Sequence, residues 1–357
     1  MVLRPSPAPK AAGYPTSGLA PVVTDARQPL PTLLSQALIA FTIELDNEWE
    51  RRMPHRTTDF GGDRGPWATS LRQWSNFMQW VPAEGISVRD LTRTARAEPH
   101  LDAMRRWGYV QLDGKIVRPR KAGLIAGGVW RTLSDEIEQR WRERFGAELI
   151  GALRATLEPI AAAREAELPD WITAGYGGYA AEPTAGEAPD PDRRRPLSVL
   201  FSIPLHVFAL AFERMSAASL MYTANVLRPL GEDLGAGVPV AELPARSGVA
   251  APALASAIGI LVKGGFVEQG SGRGRRARLT DRGAAELAAY EPSCAAIERA
   301  TEPAPPIRAG LERLLSPDAP LWPRLDPPPE SWRSRLPRPQ TLPHHPMPRQ
   351  GGHPDGA

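Results

Sequence analysis

The chain has 357 residues, of which 42% are hydrophobic and 23% are charged, and this composition predicts a soluble globular protein with two domains and terminal extensions. Cys294 is the single cysteine, so an intrachain disulfide is excluded and a reducing compartment is expected. The sequence contains neither a signal-peptide-like apolar run nor the roughly 20 apolar residues of a membrane span, so it predicts a cytoplasmic protein without membrane contact.

The charge is unevenly distributed along the chain, although the formal net charge is only +3. Residues 86–123 contain nine Lys and Arg against four Asp and Glu, and residues 238–283 contain seven against three. Two cationic blocks suit a polyanionic partner, because each neutralised phosphate releases condensed counterions. Solvation of an exposed face is the plainer interpretation of either block.

The first predicted unit spans residues 31–133 and follows a Pro-rich segment, 1–30, that is expected to be disordered or extended. Its pattern predicts two helices, a helix and turn at 86–96, a shortened second helix at 99–106, and a tight hairpin around Asp113-Gly114. An insertion at 51–67 contains the polar cluster HRTTD, residues 55–59. We interpret this cluster as an exposed or domain-packed loop in preference to an active site, since no rigid base and nucleophile accompany it.

A long bridging helix is predicted next, at residues 134–163 within a bridging segment 134–170. Ser134 is a suitable N-terminus, and Ile137, Trp141, Phe145 and Leu149 form an apolar stripe. The pairs Glu136–Arg140 and Glu138–Arg142 have the i,i+4 spacing of helical ion pairs. We expect Trp141 and Phe145 to be buried against one or both units. The Gly-, Pro- and Ala-rich segment 171–196 is interpreted as a linker.

The second predicted unit spans residues 197–300. A short helix at 241–246, a turn at Ser247-Gly248, a second helix at 251–263 and strands at 266–269 and 277–280 are expected. The glycine-rich tip between these strands opens no helix, so it does not fit a nucleotide-binding loop. The Pro-rich remainder, 301–357, is expected to be disordered or extended, and its histidines at 344, 345 and 353 lack metal-ligand spacing.

Four features occur twice in the same order, which predicts a tandem duplication. The stripe of Leu34, Leu38, Phe41 and Leu45 returns about 167 positions later. The other matched pairs are SLRQWSN (70–76) with SLMYTAN (219–225), ISVRDL (86–91) with VPVAEL (238–243), and WGYV (107–110) with GGFV (264–267).

The second unit resembles the winged-helix core of MarR-like transcription regulators. The resemblance rests on AEL and SGV around the turn, on the helix that ends before GGFVE, on GRGRR, and on RLTDRG before the next helix. It implies a recognition helix that begins at 251–256 and includes Ser256, and DNA contacts from the wing residues Arg273, Arg275, Arg276 and Arg278. Base readout by that helix is weak in this sequence, because Ser256 is its single polar side chain near the start.

The first unit supplies cationic residues that the second helix-turn-helix lacks, and Arg105, Arg106 and Lys115 are its candidate DNA contacts. The sequence thus predicts a mainly α fold with two tandem winged helix-turn-helix modules, small hairpin wings and a long bridging helix. Its predicted function is DNA-binding transcriptional regulation, with double-stranded DNA and a small-molecule effector as partner classes. A single chain with two modules is expected to form an intramolecular pseudo-dimer or a homodimer.

The alternative is a winged-helix interaction or ligand-sensing module without sequence-specific DNA binding, as the alanine-rich second helix suggests. No motif supports an enzyme, a metal site or a cofactor.

Overall fold

The computed structural model describes residues 27–53, 71–99, 101–164, 166–172, 193–233, 235–301, 304–322, 325–326 and 341–347. The fold is mainly helical and contains two small antiparallel sheets of three strands each. The insertion residues 54–67, including the cluster 55–59, and His353 lie outside the described residues.

The first half of the chain runs from α1 to α6. Its helices are α1 (Leu30–Arg52), α2 (Leu71–Asn76), α3 (Val88–Ala95), α4 (Leu101–Arg106), α5 (Lys121–Phe145) and α6 (Ala147–Arg164). A 3₁₀ turn at Met78–Trp80 follows α2. The strands are β1 (Ile86–Ser87), β2 (Val110–Asp113) and β3 (Ile116–Pro119), in the spatial order β1-β3-β2.

The second half repeats this order of elements. Its helices are α7 (Leu197–Glu213), α8 (Leu220–Tyr222), α9 (Arg228–Gly231), α10 (Leu243–Ser247), α11 (Ala251–Lys263), α12 (Asp281–Ala300) and α13 (Ala304–Leu314), with a π-helical turn at Thr223–Leu227 between α8 and α9. The strands β4 (Val238–Pro239), β5 (Val267–Gln269) and β6 (Arg276–Leu279) have the spatial order β4-β6-β5. The same strand order in both sheets is consistent with the predicted duplication.

The two halves meet through their first helices. Helix α1 packs most extensively on α7, and each of them also contacts the last helix of the other half, α13 and α6 respectively. Both helices are buried on most of their circumference, although α1 includes several polar residues and α7 is largely apolar, so neighbours cover each of them on several sides. The shared core therefore belongs to both halves, and neither half buries its first helix alone.

Trp141 is buried in this shared core, as predicted, and contacts aromatic rings from both halves. Its ring centroid lies 5.3 Å from that of Phe41 and 6.2 Å from that of Phe201. Phe145 is half-buried and packs on Trp141 at 5.4 Å. The prediction of burial is thus confirmed fully for Trp141 and in part for Phe145.

The prediction of one bridging helix at 134–163 is wrong, because two helices cover this region. Helix α5 begins at Lys121, so Ser134 lies in its interior. It ends at Phe145, because the next residue, Gly146, has a φ of 92° and a ψ of 134°, which are not helical. Glycine adopts such a backbone without the Cβ penalty of other residues. The ion pair of Glu138 with Arg142 forms at 3.3 Å, whereas Glu136 pairs with Arg52 of α1 at 2.6 Å.

The prediction that everything after residue 300 is disordered or extended is wrong for one described segment, and a second segment is non-helical but buried. Residues Ala304–Leu314 form α13, which packs on α1 and α6 and buries Ile307 and Leu311. Residues 341–347 are buried throughout. The prediction for α13 was wrong because it took a high proline content to exclude a helix. The prolines at the second and third positions of α13 lie in its first turn, where a missing N–H costs little.

Candidate nucleic-acid interface

Two arginines stand at the tip of the second hairpin. Arg273 and Arg275 lie between β5 and β6, in a turn where Gly272 and Gly274 have φ of 83° and 77°. These are conformations that glycine adopts readily. Both arginine side chains are exposed, and no carboxylate in the described part of the chain pairs with either. They are therefore cations whose donors are available to an external anion.

The other two predicted hairpin contacts are engaged within the protein. Arg276 donates from Nε to the Ala236 carbonyl at 2.9 Å and from Nη2 to the Gly237 carbonyl, and Asp233 lies 3.7 Å from it. These partners belong to the loop before β4, about 40 residues earlier, so the absence of an acidic residue within the hairpin tip could not reveal them.

Arg278 is paired across the hairpin. It lies opposite Glu268 in the strand register, and the two side chains form an ion pair at 2.7 Å. Opposite charges at facing positions of an antiparallel pair attract each other, so this arginine is less available than those at the tip.

The exposed face of α11 carries small, uncharged residues until its last turn. It consists of Ala251, Pro252, Ala255, Ser256 and Gly259, and then of Val262 and Lys263 at the end of the helix. The Ser256 hydroxyl donates to the Pro252 carbonyl at 3.2 Å, so its proton already has an acceptor within the helix. A face of this kind offers few groups that can distinguish base pairs.

The corresponding surface of the first half is more cationic. Arg105 and Arg106 are exposed at the end of α4, and Arg105 lies 3.5 Å from the exposed carboxylate of Asp102. Lys115 is exposed in the turn between β2 and β3, while Arg118 of the same hairpin pairs with Asp113 at 3.1 Å. Arg106 and Lys115 thus resemble the tip arginines of the second hairpin in their exposure.

A second feature, which no sequence motif indicated, is a pair of peptide segments that two asparagines bind. Asn76, the last residue of α2, binds both backbone groups of Trp171. Its Nδ2 donates to the Trp171 carbonyl at 2.9 Å, and its Oδ1 accepts from the Trp171 N–H at 2.7 Å. We call the buried residues 168–172 the first strap.

The second half contains the same arrangement. Nδ2 of Asn225 donates to the His345 carbonyl at 2.8 Å, and its Oδ1 accepts from the His345 N–H at 3.1 Å. We call residues 341–347 the second strap. Both straps contain a Leu-Pro pair, Leu168-Pro169 and Leu342-Pro343, two residues before the position that the asparagine binds.

Three buried histidines lie at the second strap. His206 belongs to α7, and His344 and His345 belong to the strap itself. Burial lowers the pKa of His345 to about 3 and that of His206 to about 4, and it lowers the pKa of His344 well below its usual value. The positive charges of Arg228 and Arg164 act in the same direction on His344 and His206 respectively. All three imidazoles are therefore neutral near pH 7.

Within the described residues, no three His, Cys, Asp or Glu side chains are grouped in a way that would hold a metal ion. Among the same residues, no helix is both long and apolar enough to cross a membrane. No protein-family model, curated protein or solved structure matches the chain.

Proposed function

We propose that the protein is a DNA-binding transcriptional regulator with two tandem winged-helix modules and that it acts as an intramolecular pseudo-dimer. The observation that carries the proposal is the exposed and unpaired pair Arg273 and Arg275, at the tip of a hairpin that directly follows a helix-turn-helix. Hairpin arginines in this position suit phosphate or minor-groove contacts.

The duplication supports the same proposal. Each half presents two short helices and a basic hairpin, and the central helices α1 and α7 join the halves. A regulator that binds DNA with paired modules normally obtains them from two chains. In this proposal one chain supplies both, and the MarR-like pattern of residues 238–288 indicates the type of module.

We assign different tasks to the two modules. Helix α4 carries Arg105 and Arg106, which are able to contact guanine edges or phosphates, whereas the exposed residues of α11 are small and neutral from 251 to 259. In this scheme the first module reads sequence and the second binds mainly through its hairpin to the DNA backbone.

The experiment is a salt titration of binding to a labelled 30-base-pair duplex from the region upstream of the gene, with a scrambled duplex of the same composition as reference. The variant R273A/R275A should bind both duplexes more weakly, and the slope of log affinity against log salt should become shallower by up to about 0.9 per lost contact. The matched control is R299A/R313A, which removes the same charge from exposed positions of α12 and α13.

Two results would contradict the proposal. If wild type fails to bind either duplex at low salt, DNA binding is excluded under these conditions. If the hairpin variant and its control lose affinity equally, the hairpin is not at the interface and the attraction depends on net charge alone.

A second candidate function is a winged-helix interaction or ligand-sensing module that lacks sequence-specific DNA binding. The neutral exposed residues of α11 between 251 and 259 favour it. This candidate predicts that wild type and R105A/R106A each bind the two duplexes with equal affinity. A sequence-reading first module predicts instead that wild type prefers the upstream duplex and that R105A/R106A loses this preference.

A further inference from the structure

The two straps occupy equivalent sites but are held by different numbers of contacts. In the first strap, the Ile172 N–H donates to the Ser202 hydroxyl of α7 at 2.6 Å, and the Asp170 carboxylate accepts from Gln79 at 2.8 Å and pairs with Arg193. These bonds add to the two from Asn76, so polar contacts hold three successive residues of the strap.

The second strap lacks the counterparts of these additional contacts. Pro346 stands where the first strap has Ile172, so no N–H is available there. Ser35, which matches Ser202 in the repeat, is buried, and its hydroxyl has no hydrogen-bond partner in the described part of the chain.

The residue that corresponds to Asp170 is His344, and it too is without polar contacts. It is buried, and neither of its ring nitrogens has a hydrogen-bond partner among the described residues. A buried polar group without a partner costs free energy that the exposed state does not pay. Among the contacts of the described residues, the second strap is therefore held by fewer hydrogen bonds to the rest of the fold than the first, chiefly those of Asn225, together with apolar burial.

The two straps also differ in their position along the chain. The first strap lies between α6 and α7 and is tied to both halves of the fold. The second strap ends at residue 347, after α13, so its release requires no rearrangement of a later helix in the described residues. We propose that the Asn225 site is a peptide-binding site and that residues 341–347 are its tethered, releasable ligand, an extended Leu-Pro-x-x-Pro segment.

The site also contacts the turn between α10 and α11. Gly248 has φ of 72°, and a Cβ at this position would lie 2.7 Å from both the Leu342 carbonyl carbon and the Pro343 nitrogen. The strap backbone thus covers the turn directly, so occupancy of the site controls the exposure and the mobility of that turn. This inference does not depend on DNA binding.

The first test uses the full chain with residues 342–346 replaced by Gly-Ser-Gly-Ser-Gly and a labelled peptide of residues 339–349. The replaced chain should bind the peptide saturably, whereas wild type, whose site is filled, should bind at least tenfold more weakly. A peptide with an N-methyl group on the backbone nitrogen of His345 should fail to bind, because it cannot donate to Asn225.

Variants of the replaced chain locate the site. N225A should abolish peptide binding, and the control Q139A, which removes the same kind of side chain from an exposed position of α5, should leave it unchanged. A replaced chain that is folded by circular dichroism and still does not bind the peptide at millimolar concentration overturns the proposal.

If the replaced chain does not fold, hydrogen exchange of the unmodified chain tests the proposal instead. The backbone amides of Leu342, His344 and His345 should exchange at least tenfold faster than those in the centre of α1, because release of the strap is a local opening. If these amides exchange only as slowly as α1, the strap is a fixed part of the fold and the proposal is wrong.

Discussion

Gly123 and Gly283 hold the same position, the third residue of the helix that follows each hairpin, and each lies against a backbone carbonyl. A Cβ on Gly123 would collide with the Tyr109 carbonyl, and a Cβ on Gly283 would collide with the Phe266 carbonyl. Tyr109 and Phe266 are themselves matched by the WGYV and GGFV anchors of the repeat. The close approach of helix and hairpin in each half thus requires a residue without a side chain.

The variant G283A should therefore lower the free energy of unfolding by about 1–3 kcal/mol, as overpacking typically does. Its control is G259A, in the interior of α11, where a Cβ would meet nothing within 4 Å. That substitution should raise the stability by up to about 1 kcal/mol, because alanine favours the helix over glycine. Urea denaturation of both variants checks the prediction, and two changes of the same sign would contradict it.

Removal of the first asparagine should be strongly destabilising. In N76A the buried N–H and carbonyl of Trp171 both lose their partner, and each orphaned group costs about 1–3 kcal/mol. The shift in the urea midpoint measures the loss. If N76A is as stable as wild type, other groups or water replace both hydrogen bonds and the prediction is wrong.

Glu138 is predicted to be the most sensitive carboxylate of α5. Its side chain is only 1% exposed and pairs with Arg142 at 3.3 Å, Arg154 at 3.2 Å and Arg194 at 3.0 Å. The variant E138A leaves these guanidinium groups without their shared anion and should cost about 3–5 kcal/mol. Glu143 on the same helix is exposed, and E143A should change the stability by less than about 0.5 kcal/mol. Equal effects of the two variants in urea denaturation would refute this assignment.

Acidification should weaken the protein between pH 6.5 and about 5. The pKa of His345 and of His206 is lowered by burial to about 3 and about 4, and that of His344 is also lowered. The unfolded chain, with histidine pKa values near 6.5, therefore binds more protons than the folded chain in this window. Stability is fully present above pH 6.5 and is lost as the pH falls, by up to about 1.4 kcal/mol per pH unit for each histidine.

Urea denaturation from pH 7.5 to 5 measures this slope, and H206L should reduce it by the contribution of one proton. A free energy of unfolding that is constant from pH 7.5 to 5 would show that the three histidines are not buried in neutral form. The groups that face them are the cations Arg164 and Arg228, the other imidazoles and the Pro346 carbonyl, which lies 3.2 Å from Nδ1 of His345. The two cations oppose protonation, and burial outweighs the Pro346 carbonyl, which favours it.

The sequence by itself determined the repeated order of elements, because local signals specify it. Apolar spacing located α1 and α7, the Asp113-Gly114 turn located the first hairpin, and the glycines after α11 marked its end. These signals act over a few residues, so they survive without any knowledge of the packing.

Only the tertiary structure decided which polar groups are free and which segments are bound. Arg276 looked available in the sequence, yet its guanidinium binds carbonyls about 40 positions earlier. Residues 341–347 had the composition of a disordered tail, yet Asn225, 120 positions before His345, binds their backbone. Hydrogen bonds between distant residues depend on how elements pack, and neither periodicity nor composition encodes that packing locally.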